Sequence, residues 1–175
     1  MARSGKTPHV AEGLWEKPVQ YAVLFGQYEC TIDSKNRLLI PARIRNELQP
    51  DRDGTAFFIV TGDNGKLWLY PEKIYASMAE GVKQELAPDE DDLAFDHLHY
   101  SLADRLEWDA QGRILLPDRE LKETGTGKDV VLIGSRNHLE IFNASEWHAY
   151  RENLRKRSKE VSLRAKQKKV QDQGV

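Results

Sequence analysis

The sequence has little cysteine and no long apolar run, and both shortages exclude whole classes of protein. A single cysteine, Cys30, stands among 175 residues. It leaves no intrachain disulfide framework and no thiolate zinc cluster, which needs several Cys or Cys with paired His. Cys30 lies on an alternating run between Tyr28 and Ile32 and reads as a small core residue. The most apolar runs, Phe57–Val60 and Val130–Ile133, are far shorter than the roughly 20 residues a spanning helix needs, so no membrane partner is expected. Met1–Val10 has no apolar segment after its basic residues and is interrupted by Pro8 and His9, so no secretory signal is expected and a cytoplasmic chain is predicted. No Gly-rich phosphate loop follows a strand, and no nucleophile, base and orienter share a recognisable spacing. An enzyme is therefore not expected, nor a cofactor, a metal or a small-molecule substrate. His97 and His99 with Asp96 carry metal-ligand chemistry, but residues two apart on a helix do not share a face.

An excess of either sign of charge is nearly absent overall, yet the charges are unevenly placed. The chain has 26 basic and 28 acidic residues, a formal net charge of -2. Residues 151–175 hold nine Lys or Arg against three Asp or Glu, so a tail of +6 follows a body of -8. A basic tail on an acidic body suggests an interaction segment with nucleic acid as first candidate; the alternative is a solvated helix end.

One unit occurs twice. In the first copy Gln27–Ile32 leads into Asp33, Ser34, Lys35, Asn36 and Arg37, then Leu38, Leu39, Ile40 and Pro41. In the second, Ala103–Trp108 leads into Asp109, Ala110, Gln111, Gly112 and Arg113, then Ile114, Leu115, Leu116 and Pro117. Later landmarks match at a spacing four residues shorter: Gly62 with Gly134, Leu67 with Leu139, Tyr70 with Phe142, Tyr75 with Trp147. A shared Asp, Arg and Pro at one spacing, followed by matched apolar runs, marks an internal repeat.

Each copy predicts the same elements. Tyr28, Cys30 and Ile32 alternate with polar residues, the period of a strand with one buried face. Asp33 can accept from backbone N–H groups two residues on, and the fourth motif position is Asn36 or Gly112, the residue types most tolerant of positive φ. A return strand over Leu38 and Ile40, or Ile114 and Leu116, ends at a proline that presets a helical first turn. Short helices are predicted over Arg43–Leu48 and Arg119–Leu121. Hairpins follow, Phe57–Thr61 with Lys66–Tyr70 and Val130–Ile133 with His138–Phe142. Ile74, Met78, Val82 and Leu86 predict one amphipathic helix over 72–87, stopped by Pro88. Asp89–Asp92 suits the start of another helix carrying Leu93, Leu98 and Leu102. Asn143 and Glu146 read as a capping box opening a last helix faced by Trp147, Tyr150 and Leu154. Residues 164–175 and 1 to about 20 are expected to be frayed or disordered.

With those residues assembled, the sequence resembles the MraZ family over about Phe25–Leu154. The resemblance rests on the twice-occurring pattern Asp, two variable residues, Gly, Arg, each followed by an apolar strand. Supporting matches are Leu67–Pro71 and Lys128–Gly134. Asn36 departs from the usual glycine in the first motif. The resemblance implies a mixed α+β fold, mainly β, made of two tandem AbrB-like swapped-hairpin β-barrel units joined and followed by helices. The expected organisation is a flexible extension over 1–24, a first unit over 25–74, linking helices over 75–102, a second unit over 103–146, and a C-terminal helix with basic tail over 147–175. It also implies a sequence-specific transcriptional regulator, expected to repress, that binds repeated double-stranded DNA sites upstream of a bacterial division and cell-wall gene cluster as a homo-oligomeric ring in the cytoplasm and nucleoid.

Arg37 and Arg113 are carried over as DNA-binding candidates; Lys35, Arg43 and Arg45 are added from the charge pattern. Their alternative is structural, an Asp and an Arg four apart pairing across a turn. For the whole protein the alternative is an antitoxin-like or structural oligomeric interaction module without a specific DNA target.

Overall fold

The computed structural model describes residues 21–82 and 87–172. The first copy contributes strands β1 (Gln27–Thr31) and β2 (Arg37–Leu39), helices α1 (Ala42–Glu47) and α2 (Pro50–Asp53), strands β3 (Ala56–Thr61) and β4 (Leu67–Pro71), and helix α3 (Glu72–Glu80). Helix α4 (Glu90–Asp96) and one π-helical turn, His97–Ser101, link it to the second copy. That copy repeats the plan with β5 (Asp104–Glu107), β6 (Arg113–Leu115), α5 (Asp118–Glu123), β7 (Asp129–Gly134), β8 (Leu139–Asn143) and α6 (Ala144–Lys156). Helix α7 (Ser158–Asp172) follows.

The two copies interleave. Six strands form one antiparallel sheet in the order β1-β7-β8-β4-β3-β5. Exchanging the copies maps this order onto itself about the β8–β4 pair, so each copy's first strand is swapped onto the other copy's hairpin. β2 and β6 pair antiparallel as a separate ribbon, with Arg37 opposite Leu115, Leu38 opposite Ile114 and Leu39 opposite Arg113. Closed β-barrel units are not what forms. The six-stranded sheet stays open, and the ribbon meets edge strands β1 and β5 only through the single bridges Ile32–Leu38 and Trp108–Ile114. The tight Asp-to-Arg turns reverse the chain before a longer ladder can be made.

The core lies between ribbon and sheet. Leu38, Ile40 and Ile114 from the ribbon meet Phe57, Ile59, Leu67, Leu69, Leu132 and Leu139 from the sheet, all at 0% exposure. Burying one such side chain stabilises by roughly 1.5–3 kcal/mol, so this inner layer fixes how the copies join. Cys30 packs partly buried at its margin, and burial pushes its thiol pKa up.

Several helices depart from the pattern reading. α3 stops at Glu80 before Gly81, not at Pro88, because glycine costs about 1 kcal/mol in a helix interior; Leu86 lies outside the described residues. α2 has no apolar period to announce it and forms where Pro50 presets the first turn and Asp53 accepts from the Gln49 amide at 2.8 Å. α4 opens as expected, with Asp89 and Asp92 in a reciprocal capping box. α6 lacks the expected Asn143 side-chain cap: that amide instead accepts from the Gly127 N–H at 2.7 Å and donates to the Gly125 carbonyl at 3.0 Å. The tail expected to fray is helical through Asp172; its Lys, Arg, Gln and Ala are good helix formers, and Glu160 pairs with Arg157 at 3.4 Å and Arg164 at 2.5 Å. Of the N-terminal extension, residues 1–20 lie outside the described residues. Ala22 and Leu24 are buried, the Ala22 N–H donating to Asp53 at 2.8 Å.

Candidate nucleic-acid interface

Both Asp-to-Arg motifs fold into the same turn. Asp33 Oδ1 accepts the N–H of Lys35 at 2.8 Å and of Arg37 at 2.9 Å, while Oδ2 accepts from Arg37 Nε and Nη2, each at 2.7 Å. Asp109 repeats the set with Gln111 at 2.9 Å, the Arg113 N–H at 3.0 Å, Nε at 2.8 Å and Nη2 at 2.6 Å. The arginine hydrogen bonds hold both carboxyls below the usual carboxylate range, Asp33 at about 2. The fourth position has positive φ in each, 58° at Asn36 and 80° at Gly112, the region such turns reserve for Asn and Gly.

These turns are fixed to opposite ends of the β2–β6 ribbon. Leu38 and Ile114 point inward, so Arg37, Leu39, Arg113 and Leu115 share the outer face, with the two arginines as diagonal neighbours. Leu39 and Leu115 are 50% and 61% exposed. Each arginine is locked by its aspartate along the Nε–Nη2 edge, which leaves Nη1 without a bond among the described residues. The structural alternative for Arg37 and Arg113 is thus real, and it leaves each guanidinium oriented with donors to spare.

The added candidates flank this face unequally. Lys35 stands exposed at the tip of the first turn. Arg45 reaches from α1 across to the other copy: its Nε donates to the Ile40 carbonyl at 3.0 Å, and its side chain lies so close over Gly112 that a Cβ there would come within 2.6 Å. Arg43 sits apart, its guanidinium 5.6 Å from the Phe25 ring centroid. The structure therefore gathers Lys35, Arg37, Arg45 and Arg113 around the ribbon and its turns and leaves Arg43 beside β1.

Two features escaped the sequence reading. Leu39 and Leu115 were legible, since period two puts the middle residue of a three-residue apolar strand on the outer face. The approach of Arg45 to Gly112 was not, because it joins α1 of one copy to the turn of the other. Among the described residues no group of three or more His, Cys, Asp or Glu could hold a metal ion, and no helix is long and apolar enough to cross a membrane.

Two interleaved copies of a strand–turn–strand unit, each presenting a buttressed arginine, define a tandem-repeat swapped-hairpin protein. The family described as "MraZ protein, putative antitoxin-like" matches over residues 23–96 and 100–171, one match per copy. The chain belongs to the MraZ family. It is similar to the Transcriptional regulator MraZ of Moorella thermoacetica, 37% identical over 73% of this chain and 86% of that one. The proteins of the same name from Heliobacterium modesticaldum and Clostridium tetani are 34% and 32% identical, covering 80% and 73% of this chain and 94% and 87% of their own.

Proposed function

We propose that this chain is a transcriptional regulator that binds double-stranded DNA through the outer face of the β2–β6 ribbon. The observation that carries the reading is the pair of identically buttressed arginines, Arg37 and Arg113, on one exposed ribbon face. A two-stranded ribbon fits the major groove, where a planar guanidinium reads guanine O6 and N7. The aspartate fork settles the arginine rotamer before binding, so less side-chain entropy is lost on contact. It also offsets part of the positive charge, which favours directional readout over bulk attraction to phosphate. Lys35 and Arg45 supply phosphate contacts at the ribbon ends. The relatives' name, Transcriptional regulator MraZ, agrees with this reading.

At the finer level, we take the target to be repeated sites upstream of a division and cell-wall gene cluster, bound in the nucleoid by a homo-oligomeric ring that represses. A chain of net charge -2 binds weakly on its own, and several linked contacts to repeated sites add through effective concentration.

The test is binding of the intact protein to a duplex from upstream of its own gene and to a scrambled duplex. Arg37→Lys keeps the charge and loses the planar fork, so cognate affinity falls by about 10- to 100-fold, matching ~1–3 kcal/mol per bidentate contact, while scrambled binding persists. Equal loss on both duplexes with a lower melting temperature makes Arg37 structural only. No binding by the unmodified protein turns the reading towards an antitoxin-like partner module.

A further inference from the structure

The outer face of the β2–β6 ribbon consists of four side chains, and two of them are apolar. Arg37 stands opposite Leu115 and Leu39 opposite Arg113, while Leu38 and Ile114 fill the inner side. The Leu116 N–H donates to the Asn36 carbonyl at 2.9 Å and the Ile40 N–H to the Gly112 carbonyl at 3.0 Å. These bonds flank the two mixed pairs, which makes them the closely spaced, non-hydrogen-bonded kind, with Cα atoms roughly 4.5 Å apart. Each leucine is therefore carried beside one arginine, and the exchange of copies that relates the turns relates the two pairs as well.

Neither leucine packs into the interior. The residues on either side of them, Leu38, Ile40, Ile114 and Leu116, all belong to the main core, whereas Leu39 and Leu115 belong to none of the apolar clusters. An exposed strand position is served by a polar residue, and a leucine there gains nothing from burial within the chain. Two side chains are also far less than the roughly 800 Å² that a folded partner covers on each side of a stable interface. The pair is interleaved with Arg37 and Arg113 and flanked by Lys35 and Arg45. The surface that fits it is apolar over single small groups and polar or anionic around them.

We infer that Leu39 and Leu115 are specificity residues that meet thymine methyl groups, Leu115 in the base pair beside the guanine held by Arg37 and Leu39 in the base pair beside the guanine held by Arg113. The inference rests on the DNA reading above and deepens it by naming what the ribbon reads between its arginines. In the major groove the thymine methyl is the apolar group that a base edge presents, and apolar side chains are its partners. A Cα spacing of roughly 4.5 Å exceeds the ~3.4 Å rise of one base pair only slightly, so a leucine opposite a guanine-bound arginine falls on the neighbouring step. The aspartate fork holds each guanidinium in place, and the register of the leucine across from it is held with it.

Deoxyuridine, which is thymidine without that methyl group, tests this on the full chain. In the duplex from upstream of its own gene each thymine is replaced in turn, and affinities are measured for the unmodified protein, Leu39→Ala and Leu115→Ala. At the contacted thymines replacement should weaken the unmodified protein by roughly four-fold per methyl, the equivalent of one buried CH₂ group. At each such thymine one leucine variant should be indifferent to the replacement and the other remain sensitive. No preference of the unmodified protein for this duplex over a scrambled one rejects the DNA reading and the inference with it. A preference that survives every replacement, or replacements that weaken all three proteins alike, overturns the leucine assignment and leaves the DNA reading standing. Dependence on one leucine alone overturns the assignment of the other. The replacements alter only the DNA, so the unmodified protein decides the first step whatever the variants do. Should an alanine variant melt early, Leu39→Gln and Leu115→Gln, which put an amide at a similar length, take its place.

Discussion

Asn36 and Gly112 hold the same turn position under different constraints. Both need positive φ, but only Gly112 has an arginine lying over it; the residue at the Arg45 position in the second copy is Leu121, which is buried. Asn36→Gly should therefore change stability by no more than a few tenths of a kcal/mol, and Asn36→Val should cost about 1 kcal/mol or more, because a β-branched residue disfavours that region. Gly112→Asn tolerates the φ yet dislodges Arg45 from the Ile40 carbonyl, so it should cost about 1 kcal/mol where Asn at 36 costs nothing. Thermal melts of the three variants check this; equal stability for the Gly and Val variants at 36 contradicts the turn. The aspartates of the same turns set an acid limit. Arg37 depresses the Asp33 pKa to about 2 in the folded state, against roughly 3.9 in an unfolded chain. A depressed carboxylate contributes stability that is complete above about pH 4 and lost as pH falls towards 2. Melting temperature should drop through that window in the native chain and drop less in Asp33→Asn, a smaller difference being expected in high salt because the group is exposed. Asp33→Asn should also loosen Arg37, lowering cognate DNA affinity while raising scrambled binding.

At the scale of elements, the π-helical turn and the C-terminal helix make opposite cases. The turn His97–Ser101 is held down by the Tyr75 hydroxyl on the His99 carbonyl and by aromatic packing. Tyr75→Phe keeps the ring and removes the donor, so hydrogen exchange over residues 97–103 should speed up, with global stability falling by about 1 kcal/mol. α7 buries nothing among the described residues, its side chains being exposed from Ser158 to Lys168. Deleting residues 158–175 should leave the fold, the assembly and the preferred DNA sequence intact while weakening binding and flattening its salt dependence. Affinities measured against salt on cognate and scrambled duplexes report this; an unchanged slope means the helix is only a solvated end.

The whole molecule stands or falls by the exchange of strands. β1 pairs with β7 and β5 with β3, so neither copy completes its half of the sheet alone. Fragments 21–88 and 89–175 should each lack stable strand structure as monomers and recover it when mixed, measured by circular dichroism. A monomeric fragment that folds by itself would contradict the interleaved core. Pairings about 100 residues apart also make folding slow relative to a helical chain of this size, since loop closure precedes the contacts that reward it.

What the sequence by itself determined is whatever short-range chemistry can specify. Asp33 with Arg37, and Asp109 with Arg113, are four residues apart and close their own turns; alternation over Tyr28–Ile32 and the matched runs at Phe57–Tyr70 and Val130–Phe142 name strands and their buried faces. The repeat itself is visible as a repeat. Tertiary structure alone decided which copy each strand serves, because either β1 or β5 satisfies the period of the same sheet edge and only the joint burial of Leu38, Ile40 and Ile114 between them selects the swap. It decided that Arg45 lies over the turn of the other copy, and that the linking segment packs on the first outer face whereas Ala144 and Trp147 of α6 pack on the second. Local pattern carries no information about such contacts: they depend on the free energy of burying surfaces far apart in the chain, which exists only once the chain has closed.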